Sequence, residues 1–363
     1  MRRKTFFRVV NFIKLLSSFF LSILLRKPIH WGFPAFVSIE PTNHCNLRCP
    51  ECPTGQRGLT RASGNLKQQD FEHIIDQISP GIAYLTLYFQ GEPYLNKDLF
   101  GFISYARTRN IYVWTSTNGH YLSDENIRRT IDSGLNKLII SVDGTDQKAY
   151  EQYRIGGSLE TVTEGIRNFV WIRKEMGARK PTLQIQFLVL KSNQHQIEEI
   201  KKLGNSLGVD RTVLKTAQFY DYEQGSALMP EDGKWTRYRK QGTEAQRHRG
   251  TDKPSPVTSL KSAVLSPQSA VTNHHFTISP SHHFTIKNPL PNRCFRMWSG
   301  CVITWDGKVV PCCFDKDAGH CMGDLKEQSF EEIWRGEKYR KFRGTILRNR
   351  KSVDICRNCS QKF

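Results

Sequence analysis

The chain has 363 residues, enough for two domains and a sizeable core. Hydrophobic residues make up 38% and charged residues 24% of it, the balance of a globular protein, so wholesale disorder is not expected. The formal net charge of +19 suits a nucleic acid, an anionic membrane surface or an acidic substrate. Nucleic acid is the least favoured of these partners, because the sequence offers no obvious aromatic-rich groove for bases.

The N-terminal segment is basic and contains an apolar run. Residues 1–39 include seven Lys and Arg residues and no acidic residue. The uncharged stretch 15–25 resembles the apolar region of a signal peptide, but no small-residue cleavage site follows it. Its eleven residues are also too few to span a bilayer. We therefore predict that residues 1–30 form a basic amphipathic helix, which either docks on the protein or makes peripheral contact with the inner face of a membrane.

From residue 37 onward, short apolar runs typical of strands alternate with segments of helical periodicity. The strand-like runs are 37–40, 83–89, 111–116, 137–142, 183–190 and 211–215. The helix-like segments between them include 70–78, 123–133, 159–174 and 196–207. This alternation predicts right-handed crossovers and a parallel sheet, and six repeats indicate a partial or complete barrel. Functional residues are then expected at the C-terminal ends of the strands.

Three cysteines follow the first predicted strand with the spacing C-x3-C-x2-C, namely Cys45, Cys49 and Cys52. The ten cysteines of this large chain are clustered, a pattern that favours metal or iron–sulfur ligation in a reducing compartment over disulfides. Three thiolates can hold three corners of a [4Fe–4S] cluster and leave the fourth iron open to an exogenous ligand. The alternative is a zinc site with a borrowed fourth ligand such as His44.

This spacing resembles the hallmark of the radical SAM superfamily, in which the motif follows the first strand of a partial (β/α)6 barrel. The resemblance implies that the open iron binds S-adenosylmethionine (SAM) and that reductive cleavage of SAM yields a 5′-deoxyadenosyl radical, which abstracts hydrogen from a substrate. It also implies an electron donor such as flavodoxin or ferredoxin and a cytoplasmic location. The sequence departs from the family at Glu51, where an aromatic residue is usual.

Further segments similar to family motifs fall at the expected strand ends. The stretch 89–93 is similar to the Gly-Gly-Glu-Pro motif that holds the SAM ammonium group, with a glutamine in place of the first glycine. Gly91 permits close backbone approach and Glu92 offers a carboxylate. The resemblance assigns Asn118, Ser141 and Asp143 to the cofactor, with ribose hydroxyls as their partners. Each of these residues also suits an ordinary turn.

The C-terminal region divides into a polar stretch and a cysteine-rich unit. Residues 229–290 form a polar linker or insertion, in which 273–279 and 281–287 are near duplicates, each with paired histidines. These histidines could bind a metal, but a flexible insertion is the favoured interpretation. Within the cysteine-rich unit, residues 302–311 predict a hairpin with an Asp-Gly turn.

The spacing of the last cysteines resembles the SPASM family in its shortened twitch form. Twelve residues separate Cys294 from Gly307, four more lead to Cys312, and Cys356 and Cys359 form a later C-x2-C pair. The resemblance implies one auxiliary [4Fe–4S] cluster held by Cys294, Cys312, Cys356 and Cys359. The remaining cysteines are alternative ligands or small buried residues, and they are Cys301, Cys313 and Cys321. A rubredoxin-like or zinc-ribbon site is the alternative for the whole unit.

The sequence thus predicts an α/β fold in which a partial (β/α)6 TIM-like barrel is followed by a small cysteine-rich α+β domain. The expected divisions are the N-terminal segment 1–30, the barrel 31–228, the insertion 229–290 and the auxiliary domain 291–363. We expect an auxiliary cluster that transfers electrons and a substrate that is a sugar, another small molecule or a peptide. The rival interpretations are a peptide maturase, an iron–sulfur electron carrier without catalysis and a zinc-dependent interaction module.

Overall fold

The computed structural model describes residues 2–240, 284–287 and 290–360. Its strands are β1 (Phe36–Ile39), β2 (Tyr84–Thr86), β3 (Tyr112–Thr117), β4 (Lys137–Ser141), β5 (Thr182–Val189), β6 (Arg211–Thr216), β7 (Tyr238–Lys240), β8 (Phe284–Ile286), β9 (Gly300–Ile303), β10 (Lys308–Val310) and β11 (Gly323–Asp324). Nine of them form one sheet in the order β11-β10-β9-β1-β2-β3-β4-β5-β6.

The α-helices lie between and around these strands. They are α1 (Arg2–Leu25), α2 (Gln68–Ile78), α3 (Leu99–Thr108), α4 (Asp124–Asp132), α5 (Gln147–Glu151), α6 (Leu159–Glu175), α7 (Ile197–Ser206), α8 (Arg296–Ser299), α9 (Phe330–Arg335), α10 (Glu337–Asn349) and α11 (Asp354–Arg357). Ser and Asp residues cap several of them: the side chains of Ser123 and Ser158 accept backbone N–H groups at the starts of α4 and α6.

Strands β1 to β6 are all parallel, and each pairs with its sequence neighbour. The crossover helices bury their apolar faces against this sheet, with Phe71, Ile127 and Phe169 fully buried in α2, α4 and α6. This arrangement confirms the predicted α/β class and the parallel sheet. Strand β2 is shorter than the apolar run that predicted it, since the chain leaves the ladder after Thr86.

The cysteine-rich unit extends the barrel sheet. Strand β9 pairs in parallel with β1, and β9 and β10 form the predicted antiparallel hairpin. Gly307 has a φ of +91° in the Asp-Gly turn, a conformation that favours glycine. The indole N–H groups of Trp298 and Trp334 donate to the carbonyls of Ile29 and Gly32, at 2.7 and 3.0 Å. The C-terminal unit is therefore continuous with the barrel through one sheet.

The predicted polar insertion contains a small sheet at its two ends. Strands β7 and β8 pair antiparallel, with Tyr238 opposite Ile286. The first of the near-duplicate stretches, 273–279, lies outside the described residues, as does 281–283 of the second. Both interpretations of these histidines, the favoured flexible insertion and the alternative metal site, therefore stay predictions.

Helix α1 is longer than the apolar run in the sequence. It spans 24 residues, and its segment 6–25 is long and apolar enough to cross a membrane by length and composition alone. The expectation that the apolar stretch is too short to span a bilayer is therefore wrong, because the helix continues through residues that flank the uncharged run. One face of α1 docks on the protein, where Leu15 and Phe19 are buried.

Candidate functional site

A cavity of about 390 Å³ opens at the C-terminal ends of the parallel strands. All six strands contribute to its wall, either by their last residues or by the loops that follow them. Most of the residues predicted to bind the first cluster and its cofactor line it, namely Cys45, Cys49, Cys52, Gly91, Glu92, Asn118 and Ser141. The fold thus brings together residues that are up to 96 positions apart in the sequence (45 to 141).

The three cysteines of the first motif lie on the loop after β1. Cys49 is buried, whereas Cys45 and Cys52 are half-buried against the cavity. The backbone N–H of Leu47 approaches the Cys45 sulfur at 3.5 Å, and the N–H of Cys52 donates to the Cys49 carbonyl. His44 is exposed and does not line the cavity, although its carbonyl accepts the backbone N–H of Glu92 at 2.7 Å.

Glu92 is buried and held by neighbours from the loop after β3. Its carboxylate accepts the backbone N–H of Asn118 at 2.7 Å and the hydroxyl of Thr117 at 2.8 Å. Burial outweighs these bonds and raises the pKa of Glu92 to about 7. A carboxyl group with this pKa gains from a cationic partner, which is what the family motif assigns to it.

Gly91 explains why the chain can place Glu92 so close to the cysteine loop. Its φ is +75°, and a Cβ atom there would lie 2.5 Å from the Thr42 carbonyl oxygen and 2.7 Å from that of His44. Asn118 completes the contact between the two loops, because its side-chain amide donates to Asn46 at 2.7 Å. The backbone and side chains of three strand ends are therefore interlocked around the cysteine motif.

Asp143 lies below the cavity wall and is fully buried. One carboxylate oxygen accepts the backbone N–H of Leu188 at 2.6 Å, and the other forms an ion pair with Arg154 at 2.6 Å. The Arg154 guanidinium lines the cavity and approaches the Cys49 sulfur at 3.7 Å. In this geometry Asp143 positions Arg154. The predicted contact between Asp143 and a ribose hydroxyl stays a prediction, because Asp143 is not among the residues that line the cavity.

Sequence reasoning did not single out Arg154 or the aromatic side chains of the cavity. Tyr153 and Tyr220 both line the cavity, and Tyr220 lies beside Glu51, which stands where an aromatic residue is usual in the family. Glu51 instead accepts the Ser226 hydroxyl at 3.0 Å. The sequence feature that could have indicated them is the pair Tyr153-Arg154, which follows α5 after one residue and lies at the cavity end of the barrel.

A second, smaller cavity lies in the C-terminal unit. The four predicted auxiliary ligands all line it, namely Cys294, Cys312, Cys356 and Cys359. Arg296 and Arg350 share this lining, and a guanidinium nitrogen of Arg350 lies 3.4 Å from the Cys359 sulfur. Of the remaining cysteines, Cys301 is in the barrel core and Cys321 donates to the Gly323 carbonyl. Cys313 packs against the Phe89 cluster, and its thiol is hydrogen-bonded to that of Cys312, so it stays an alternative ligand.

Two family models match the parts of the chain that contain the two cysteine-lined cavities. The model of the radical SAM superfamily matches residues 39–204, and that of the SPASM iron–sulfur cluster-binding domain matches residues 294–360. The chain belongs to the radical SAM superfamily. It carries a SPASM-type C-terminal region and is placed among the radical SAM enzymes.

The chain is also similar in sequence to known relatives and in fold to a solved structure. The chain is 24% identical to the tungsten-containing aldehyde ferredoxin oxidoreductase cofactor-modifying protein of Pyrococcus furiosus, over 90% of this chain and 87% of that protein. It is 25% identical to the PqqA peptide cyclase of Rhodopseudomonas palustris, over 87% and 77%. The structure of Streptococcus suis SuiB bound to S-adenosylmethionine superposes with a TM-score of 0.58 at 17% identity, over 86% of this chain and 68% of SuiB.

The radical SAM domain implies a [4Fe–4S] cluster with SAM, and the SPASM domain implies auxiliary iron–sulfur ligation. The donor sets fit these groups, because all ten cysteines are free thiols and two separate sets line the two cavities. Burial raises the pKa of the Cys45 thiol to about 11, so its thiolate form at neutral pH requires a cationic partner such as iron. Within the described residues, no group of three or more His, Cys, Asp and Glu side chains is placed to hold a single metal ion.

Proposed function

We propose that this chain reductively cleaves SAM to a 5′-deoxyadenosyl radical and uses that radical to abstract hydrogen from a substrate held in the barrel. The observation that carries the proposal is the convergence of Cys45, Cys49, Cys52 and Glu92 on one cavity at the strand ends. When bound there, a [4Fe–4S] cluster with one open iron would supply the electron and the site for SAM. A non-catalytic electron carrier has no need for the buried Glu92 beside the three cysteines.

The protein's own residues would bind and orient SAM. The Glu92 carboxylate is fixed by Thr117 and Asn118 and is the acceptor for the SAM ammonium group. Arg154, fixed by Asp143, presents a cation to the same cavity and is suited to a carboxylate. The hydroxyl of Ser141 and the rings of Tyr153 and Tyr220 remain for the nucleoside.

The four-cysteine cavity supports an electron-transfer role for one auxiliary cluster. Cys294, Cys312, Cys356 and Cys359 would supply all four protein ligands, which leaves no iron for a substrate. Arg350 is buried and already bonded to the Arg293 carbonyl at 2.7 Å, so its charge beside Cys359 is held in place. When held by these four cysteines, an auxiliary cluster would supply an acceptor for one electron of the substrate radical, and we propose that the overall reaction is an oxidation or a bond-forming modification.

We propose that the substrate is a sugar or another small molecule, with a peptide as the alternative. A relative named PqqA peptide cyclase supports the peptide alternative. We also propose a cytoplasmic location, an electron donor such as flavodoxin or ferredoxin, and peripheral contact with the inner face of the membrane through residues 1–30.

An anaerobic assay tests the proposed chemistry. The protein is reconstituted with iron and sulfide, its iron is counted, and 5′-deoxyadenosine is measured after dithionite and SAM are added. We expect about eight irons per chain and SAM-dependent 5′-deoxyadenosine. The product should vanish in a Cys45→Ala, Cys49→Ala, Cys52→Ala variant and persist in the control Cys321→Ala, whose sulfur lies outside both cysteine-lined cavities. Zinc in place of iron, or full iron loading without SAM cleavage, would contradict the proposal.

A further inference from the structure

Helix α1 buries polar side chains beside its buried Leu15 and Phe19 and exposes large apolar side chains. Its Asn11, Ser18 and Ser22 face the protein and are 4%, 0% and 0% exposed. Large apolar side chains face outward, with Phe20 at 63% and Leu24 at 78% exposure. An ordinary surface helix of a soluble protein presents mainly polar and charged side chains to solvent, so the apolar outer face of α1 requires a separate explanation.

The outward apolar residues form one stripe along the helix, interrupted in its middle by the exposed Ser17. They are Phe6, Val9, Ile13, Phe20 and Leu24, all more than half exposed and separated by three, four, seven and four positions. Phe7, Phe12 and Leu25 widen the stripe at its edges. Contiguous exposed apolar surface of this kind marks an interaction site, in contrast to scattered single residues.

The charges around the stripe favour an anionic surface as its partner. Residues 1–39 contain no acidic residue, and their basic residues are Arg2, Arg3, Lys4, Arg8, Lys14, Arg26 and Lys27. An anionic lipid headgroup complements these charges while acyl chains receive the apolar stripe. A second copy of this chain would instead bring two basic helices together and would be opposed by like-charge repulsion.

The inner face of α1 is fixed to the protein by specific bonds, which distinguishes a helix lying on a membrane from one that spans it. The Asn11 amide donates to the Phe33 carbonyl at 2.9 Å and accepts the Phe33 N–H at 2.8 Å. The Ser22 hydroxyl donates to the Ile29 carbonyl at 2.8 Å. A spanning orientation would break these bonds and place Arg8 and Lys14 in hydrocarbon, at a large cost.

The docking position of α1 also fixes which end of the barrel faces the membrane. The Arg8 guanidinium donates to the carbonyls of Arg109 and Asn110, which precede β3, and Asn11 reaches the Gly81 carbonyl, which precedes β2. These are the N-terminal ends of the strands, opposite to the end at which the cysteine-lined cavity opens.

We infer that α1 lies in the plane of an anionic membrane surface and holds the barrel with its catalytic cavity turned away from the lipid. This inference deepens the proposed peripheral contact and does not depend on the proposed chemistry. Substrate and electron donor then reach the cavity from the aqueous phase.

Vesicle co-sedimentation of the full chain tests the contact. The probes are phosphatidylcholine vesicles with and without phosphatidylserine, and the variant is Phe6→Ser, Ile13→Ser, Phe20→Ser, Leu24→Ser. We expect the unaltered chain to bind the anionic vesicles, to bind more weakly at high salt, and to lose affinity by more than about tenfold in the variant. The control Trp171→Ser removes a 58% exposed aromatic ring from α6 and should bind normally. Thermal melting confirms that both variants fold.

Several outcomes would overturn the inference. Equal binding by the stripe variant, or no binding of the unaltered chain to anionic vesicles, would remove the proposed contact. A dimer that the stripe variant abolishes, without vesicle binding, would assign the stripe to a second copy. Retention after alkaline carbonate washing would indicate a spanning helix. A fall in 5′-deoxyadenosine formation on vesicle binding would contradict the predicted orientation, whereas failure of the enzyme to form this product at all would affect the proposed chemistry alone.

Discussion

At the scale of single residues, the account depends most on Glu92. Its buried carboxylate is held by Thr117 and Asn118 and has no described cationic side chain bonded to it. We expect Glu92→Gln to weaken SAM binding roughly ten- to a hundredfold, because a charge-assisted hydrogen bond to the SAM ammonium group would be lost. Equilibrium dialysis with the reconstituted protein measures this change. An unchanged dissociation constant would contradict the assigned role.

The raised pKa of Glu92 also predicts a pH dependence. Burial lifts this pKa from its ordinary value of 4.5 to about 7, so the group is largely protonated at pH 6 and largely ionised at pH 8. Only the ionised form pairs with an ammonium group, and SAM affinity should therefore rise about tenfold from pH 6 to pH 8. Glu92→Gln should give a flat profile over this range. A flat profile in the unaltered protein, or an equal slope in the variant, would exclude Glu92 as the titrating group.

Arg350 provides a residue-level test of the auxiliary site. Its guanidinium lies 3.4 Å from the Cys359 sulfur in the four-cysteine cavity. A nearby positive charge favours the reduced, more negative form of a cluster, so Arg350→Gln should lower the reduction potential of the auxiliary cluster. Redox titration followed by low-temperature electron paramagnetic resonance (EPR) measures that potential, with Arg357→Gln as a control on the neighbouring exposed surface. An unchanged reduction potential in both variants would show that the charge of Arg350 does not influence the auxiliary cluster.

At the scale of elements, the alternation of strands and helices was predictable because each barrel unit carries its own periodic pattern. The predicted segment 159–174 differs from helix α6 by one residue, and 211–215 differs from strand β6 by one. Which face of α1 docks on the protein was not predictable from the same information. Its inner face is set by hydrogen bonds to carbonyl groups of the segment 29–33, which folds back on the helix, and of Gly81, and local periodicity does not describe these partners.

The docking of α1 leads to a prediction about stability. Asn11→Ala removes both hydrogen bonds to Phe33 and leaves buried backbone groups unpaired, so we expect a loss of roughly 2–3 kcal/mol in the free energy of unfolding. Ser17→Ala changes an exposed position of the same helix and should cost less than about 0.5 kcal/mol. Chemical denaturation of both variants provides the comparison. Equal stability of the two would indicate that α1 does not rest on the protein through Asn11.

At the scale of the whole molecule, the sequence indicated two cysteine-rich units but not how they join. The cysteine spacings predict both ligand sets because ligation imposes local constraints along the chain, and the fold places each set at its own cavity. The parallel pairing of β9 with β1 joins segments more than 260 residues apart, and no local pattern specifies it. The Asp143–Arg154 ion pair was missed for a related reason, since it becomes visible only when the loop after α5 folds over the barrel end.

This continuity predicts that the barrel does not fold alone. A chain that ends at residue 290 would leave the edge of β1 unpaired and would lose the buried Trp298 and Trp334 that close on residues 29–32. We expect such a chain to aggregate on expression, because an exposed edge strand and uncovered apolar surface promote association. Solubility and thermal melting compare it with the full chain. A soluble truncated protein with a cooperative transition would show that 291–363 is an independent domain.

The central claim is that the Cys45, Cys49 and Cys52 cluster keeps one iron open for SAM. The most direct measurement is low-temperature EPR of the dithionite-reduced, reconstituted protein before and after SAM is added. We predict that SAM shifts the g values of one [4Fe–4S] signal, and that this signal and its shift are absent from the Cys45→Ala, Cys49→Ala, Cys52→Ala variant. A spectrum unaffected by saturating SAM, or a SAM-dependent shift that survives in the triple variant, would contradict the claim.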